Sequence, residues 1–262
     1  MRLIDKKVAI ITGGARGIGE SIARKFLIHG AYVAIVDQDE EQLRRTTKTL
    51  MEEAPNTSHI IGRPIDVTDT GAFNEVSDEV ISRFGKIDIL VNNAAIEAPV
   101  TLLDCTLVEW NRVLSVNLTA YFTCARIVAQ KMIATARPGK LINIGSVQSV
   151  RSEAGSASYA TSKAGIEQLT RSLAIELAPH DIMVNSLRLG FIKTRLSLRP
   201  DGTDETETEY FKEFYVRRRK IPLARAGCAD EVAGAALFFA SDLCSYVTGA
   251  TLTIDGGLSI TL

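Results

Sequence analysis

The chain has 262 residues, 46% of them hydrophobic and 23% charged, with a formal net charge of −1. That balance provides a large core and excludes a disordered tail, and near-neutrality removes long-range attraction to nucleic acid or an anionic membrane. With no internal repeat, low-complexity tract or proline-rich linker, residues 1–262 read as one domain. Met1 leads through charged residues into a first apolar run at Val8–Ile11, leaving no room for a basic leader and apolar segment, so a cytoplasmic protein is expected. No stretch approaches the ~20 apolar residues that span a bilayer. Further runs at Tyr32–Val36, Ile87–Val91, Leu141–Ile144, Ile182–Val184 and Thr251–Ile254 alternate with helix-patterned stretches. Such alternation predicts an α/β fold, a doubly wound parallel sheet of about seven strands with helices on both faces. Gly30, Asp69 or Thr70, Phe84-Gly85 and Pro179 punctuate the helices.

After the first run comes TGGARGIG, Thr12–Gly19, which opens a helix. In that setting glycines let backbone approach a pyrophosphate, and free helix N–H groups face it. Gly13, Gly17 and Gly19 are spaced G-x-x-x-G-x-G rather than G-x-G-x-x-G. Asp37 ends the second run eighteen residues after Gly19, where a carboxylate accepts hydrogen bonds from an adenosine ribose. A 2′-phosphate there would meet like charge, about 4 kcal/mol at ~4 Å and an effective dielectric of about 20. NAD is therefore expected rather than NADP. Arg16 inside the loop is the residue that could meet such a phosphate, and Gln38 adds no cation.

Later in the chain, Tyr159 and Lys163 stand four residues apart, thirteen residues after Ser146. Four residues is about one helical turn, so phenol and ammonium share a face and can act on one molecule as a general base. Between Thr194 and Pro222 the pattern turns polar, with acidic residues over Pro200–Glu209 and basic ones over Arg217–Lys220, which reads as a mobile insertion at about 195–222 over the site. Cys105, Cys124, Cys228 and Cys244 are scattered, and His29, His59 and His180 lack ligand spacing, so no metal is expected.

These motifs resemble, over nearly the whole chain, the short-chain dehydrogenase/reductase family and its classical branch. The resemblance makes Thr12–Gly19, with Gly13, Arg16, Gly17, Ile18 and Gly19, the cofactor loop of a Rossmann domain, Asp66 and Val67 the adenine pocket, and Asn92–Ala95 (NNAA) the fourth-strand motif, with Asn93 and Ala94 at the cofactor. It places Gly190, Ile192 and Thr194 on the nicotinamide side, with Tyr159 and Lys163 also touching cofactor. Asn117, Ser146, Tyr159 and Lys163 become a catalytic tetrad: Tyr159 the base, Lys163 lowering its pKa together with oxidised nicotinamide, Ser146 a donor to the substrate oxygen, and Asn117 the anchor of a water chain. Tyr246–Gly257 is assigned to the last strand and a subunit interface, implying a homotetramer. Three positions depart from the family pattern: Ala95 for glycine, Gly145 for serine and Leu189 for proline. Leu189 matters most, because proline would fix φ beside the nicotinamide.

Asn92–Val100 also resembles bacterial glucose dehydrogenases, where a glutamate follows the same motif, which points to Glu97 and a sugar, sugar derivative or polyol. Gln148 suits a hydroxyl-rich ligand, and Arg151, Arg195 and Arg199 would suit an anionic one. The alternatives are 3-oxoacyl thioesters, cyclic ketones or diols, and steroids. From another class, a silent NAD-binding sensor or scaffold is the rival, against which the intact tetrad stands.

Overall fold

The computed structural model describes residues 2–54, 57–198 and 201–261, so Arg199 and Pro200 lie outside the described residues. The strands are β1 (Val8–Thr12), β2 (Tyr32–Asp37), β3 (Ile60–Pro64), β4 (Ile89–Asn92), β5 (Gly139–Ser146), β6 (Ile182–Leu189), β7 (Ile192–Lys193), β8 (Gly227–Cys228) and β9 (Thr251–Ile254). Seven form one parallel sheet in the order 3-2-1-4-5-6-9, while β7 and β8 pair separately. The helices are α1 (Gly17–Ile28), α2 (Glu40–Glu53), α3 (Thr70–Phe84), α4 (Leu107–Leu114), α5 (Ala120–Ala134), α6 (Ala157–Leu177), the single turn α7 (Glu209–Phe211) and α8 (Ala229–Ala240).

Alternation along β1 shows why both faces need cover. Ala9 and Ile11 join a core with Ile22 and Phe26 of α1 and Val232 and Ala236 of α8, whereas Val8 and Ile10 join Phe73 and Val80 of α3, Val128 and Met132 of α5 and Leu173 of α6. Asp69 caps α3 by accepting from the Ala72 N–H at 2.9 Å, and Gly85 ends it in a left-handed conformation. The edge strand β3 has no counterpart among the six apolar runs. Gly62, Arg63 and Pro64 interrupt its pattern, which an edge position tolerates because one side needs no ladder. Strand order reverses between β1 and β4, and at such a switch the carboxyl ends of the strands leave a crevice for ligand.

Within the described residues, the 195–222 segment is folded rather than extended. Phe211 and Tyr215 pack on Phe191 at centroid distances of 5.1 and 4.7 Å. Its opposite charges largely pair with each other or with flanking residues: Lys193 with Glu207, and Arg217 with Glu209 and Glu213. Among the described residues no helix is long and apolar enough to cross a membrane.

Candidate active site

A cavity of about 1080 Å³ opens at the switch point and runs from the glycine loop and Asp37 to Ser146, Tyr159 and Lys163. At one end, Arg16, Gly17 and Ile18 line it where α1 begins, and that helix start has no side-chain cap. Uncapped first-turn N–H groups are an anion site, which fits a pyrophosphate. Gly19 lies beneath the wall; a Cβ there would stand 2.2 Å from the Gly13 carbonyl oxygen, so its role is close packing of helix on loop. Asp37 is held by two backbone donors, Ala15 N–H to Oδ2 and Asp39 N–H to Oδ1, both at 3.1 Å. Arg16 is ion-paired with Asp39, which also caps α2, so the loop cation is already committed to a carboxylate. Asn93, Ala94, Gly190, Ile192 and Thr194 complete this half of the wall. Asp66 and Val67 do not reach the cavity: Asp66 is exposed and accepts from Thr68 at the start of α3, and Val67 is buried in the core.

At the other end, α6 presents Tyr159 and Lys163 on one buried face. Lys163 Nζ donates to the Ile144 carbonyl at 3.0 Å and sits 5.4 Å from the Tyr159 ring centroid. Tyr159 stands close enough to Ser146 for the serine hydroxyl to lower the phenol pKa, and Ser146 Oγ accepts from the Gln148 N–H at 3.2 Å. Asn117 lies in a wide π-type turn between α4 and α5, and its amide is bonded locally: Oδ1 accepts from Ile96 N–H and Nδ2 donates to the Ile96 carbonyl, both at 2.9 Å, with Ser162 Oγ at 3.3 Å. That side chain ties the exit of β4 to α6 and is not among the residues lining the cavity.

Burial first, and the Glu97 carboxylate second, push the Tyr159 phenol well above its ordinary value, with only the Ser146 hydrogen bond acting downward. Burial lowers Lys163 to about 7, opposed by Glu97. Protein groups alone therefore keep the phenol protonated, because the desolvation that penalises phenolate also penalises the ammonium meant to offset it. Oxidised nicotinamide, when bound, supplies a positive charge and accepts hydride. With that group and an alcohol or ketone in the cavity, Tyr159 would be the residue to take or return the hydroxyl proton, Ser146 the donor to the reacting oxygen and Lys163 the residue to hold the ribose.

Glu97, Gln148, Arg151 and Arg195 all line the cavity. Glu97 keeps exposed surface, and partial withdrawal from water, followed by the nearby Glu205 and Glu153, raises its pKa. Gln148 Oε1 is buried without a hydrogen-bond partner. Arg151 is spent on the chain end, donating to the Ser259 and Thr261 carbonyls at 2.8 and 3.2 Å. The polar reading overlooked an aromatic wall formed by Phe191, Phe214 and Tyr215. Their spacing in sequence carries no shared period, since Phe191 leaves β6 and the others come from the insertion. Removing the Glu97 charge favours the deprotonated form of every neighbour, so the pH–rate profile of Glu97→Gln is expected to lie to the acid side of wild type. An unmoved profile, measured on kcat/KM, would separate Glu97 from the Tyr159–Lys163 pair.

Anion site, ribose carboxylate and Ser–Tyr–Lys group in one cavity define a nicotinamide-dependent oxidoreductase. A family model described as Enoyl-(Acyl carrier protein) reductase matches residues 13–259. The chain belongs to the short-chain dehydrogenase/reductase family, whose reactions are on CH–OH groups. It is 39% identical over 258 residues to the 3-oxoacyl-(acyl-carrier-protein) reductase FabG of Chlamydia pneumoniae, covering 98% of each chain. To momilactone A synthase of Oryza sativa subsp. japonica it is 38% identical, covering 99% of this chain and 92% of that one. A solved gluconate 5-dehydrogenase from Burkholderia cenocepacia, in complex with NADP and tartrate, superposes with a TM-score of 0.89 at 33% identity, covering 100% of this chain and 98% of that one.

Proposed function

We propose that this enzyme interconverts a secondary alcohol and a ketone using NAD, on a carbon skeleton of the 3-oxoacyl, cyclic ketone or steroid kind. The observation that carries the substrate class is the wall of Phe191, Phe214 and Tyr215, which buries ring or chain carbon and leaves much of a sugar's hydroxyl shell unpaired. Similarity to a 3-oxoacyl reductase and to momilactone A synthase supports this reading over the sugar or polyol one, although Glu97 and Gln148 do reach the cavity. The NAD preference rests on Asp37 and on the pairing of Arg16 with Asp39.

The insertion at 195–222 acts as a lid, since Phe214, Tyr215 and Lys220 reach the cavity from it. Free thiols at all four cysteines support a reducing, cytoplasmic setting. Assembly as a homotetramer is supported by large apolar side chains left in solvent, among them Leu103, Leu107, Val108, Tyr246 and Ile260.

The test is NAD(P)H production or consumption over a panel of 3-oxoacyl thioesters, cyclic ketones and diols, hydroxysteroids, sugars, sugar acids and polyols. The expected result is turnover with NAD(H) on the apolar members. Turnover confined to sugars or polyols would overturn the substrate class, and nicotinamide binding without any turnover would favour the sensor or scaffold.

A further inference from the structure

One buried ion pair takes no part in the chemistry above. Glu167 lies one helical turn beyond Lys163, so Tyr159, Lys163 and Glu167 form a single buried stripe along α6. Arg188 meets its carboxylate with both arms, Nε to Oε1 at 2.7 Å and Nη2 to Oε2 at 2.6 Å. The two side chains are only 20% and 7% exposed for Arg188 and Glu167. Ser149, in the turn directly after Ser146, donates to Oε1 as well. Arg188 in turn immediately precedes Leu189 and Gly190, which line the cavity. Its Nη1 reaches Thr253 Oγ1 at 3.4 Å, and the Asp255 carboxylate stands close enough to be lowered in pKa by it. Asp255 is also the surface on which Gly190 rests, since a Cβ at 190 would come within 2.7 Å of Asp255 Cβ.

A single carboxylate thus connects the helix of the base, the turn of the donor serine and the strand end that leads into the nicotinamide side of the wall. Leu189 has no ring to fix its φ, so that wall takes its stiffness from neighbours. A partly buried ion pair adds little net stability over apolar packing, whereas a two-armed guanidinium–carboxylate contact fixes both distance and plane.

We propose that Glu167 and Arg188 are a positioning pair for the reaction: their clamp holds the Leu189–Thr194 wall in register with Tyr159 and Ser146. The pair rests on the nicotinamide-dependent alcohol–ketone reading. Misplacement of reacting groups by about 1 Å can cost about 100-fold in rate. Breaking the clamp should therefore lower kcat much more than it weakens cofactor binding, because the glycine loop and Asp37, which the clamp does not touch, still hold the cofactor.

The experiment compares wild type, Glu167→Gln, Arg188→Gln and the double variant, using the panel compound that wild type turns over best, with NADH binding by fluorescence and thermal melting in parallel. The expected result is a kcat lower by about 10- to 100-fold in each single variant. NADH affinity should hold within about threefold, and the double variant should be no slower than either single one, as expected for partners in one contact. A purely structural role would lower the melting temperature and leave kcat per folded molecule intact. Single variants with kcat within about twofold of wild type would overturn the proposal, against the loss that misplacement predicts. If Glu167→Gln does not fold, Arg188→Lys decides, because it keeps the charge and loses the fork: a clear fall in kcat supports the clamp, and wild-type kcat overturns it. Wild type that neither binds NADH nor turns over any compound would sink the underlying reading, and the clamp with it.

Discussion

Replacement of Tyr159 by Phe is expected to lower kcat by about 10²- to 10⁴-fold, the usual contribution of a positioned acid–base group, with NADH binding retained. The substitution removes one oxygen. Lys163 keeps its bond to the Ile144 carbonyl and its place beside the ring, and the glycine loop and Asp37 lie at the other end of the cavity, so cofactor contacts survive. Ser146 loses its phenolic partner but still accepts from Gln148 N–H. Glu97 is the other titratable acid that lines this part of the cavity, but Ser146, the expected donor to the reacting oxygen, lies beside Tyr159. Stopped-flow or steady-state rates with parallel NADH titration distinguish lost chemistry from lost binding. A variant within tenfold of wild type would remove Tyr159 from the role of base.

The second large effect concerns the cofactor. Asp37→Asn keeps the shape and one acceptor oxygen while deleting the charge, so the repulsion of a 2′-phosphate, about 4 kcal/mol at an effective dielectric of about 20, is relieved. Discrimination of NAD over NADP, measured as the ratio of kcat/KM values, should fall by about two orders of magnitude, given a factor of ten per 1.4 kcal/mol and incomplete relief. Adding Asp39→Asn should push further toward NADP by releasing Arg16 from its ion pair, with Asn still able to cap α2. An unchanged ratio in both variants would mean that the ribose carboxylate is not Asp37.

How much of this was legible in the residues depends on the range of the interaction. The glycine loop, Asp37 and the Tyr159–Lys163 pair are local patterns on single elements. Each couples a short spacing to one backbone geometry, so chain order alone places them at strand ends. Asp66 and Val67 show the converse: two residues in a turn carry no period, and only the structure places the Asp66 side chain on Thr68 and that of Val67 in the core. β3 was invisible because Gly62, Arg63 and Pro64 break the apolar run that identifies a buried strand.

Alternating apolar runs and turn residues by themselves determined a doubly wound parallel sheet, a glycine loop at a helix start and a tyrosine one helical turn from a lysine, since hydrophobic periodicity and i,i+4 spacing are properties of consecutive residues. Only the tertiary structure decided the burial of the Tyr159–Lys163 pair, the aromatic face of the cavity, the commitment of Arg16 to Asp39 and the joining of Glu167 to Arg188 and Ser149. Desolvation depends on everything packed around a group, and contacts between residues eighteen or more positions apart form only when the fold brings their elements together.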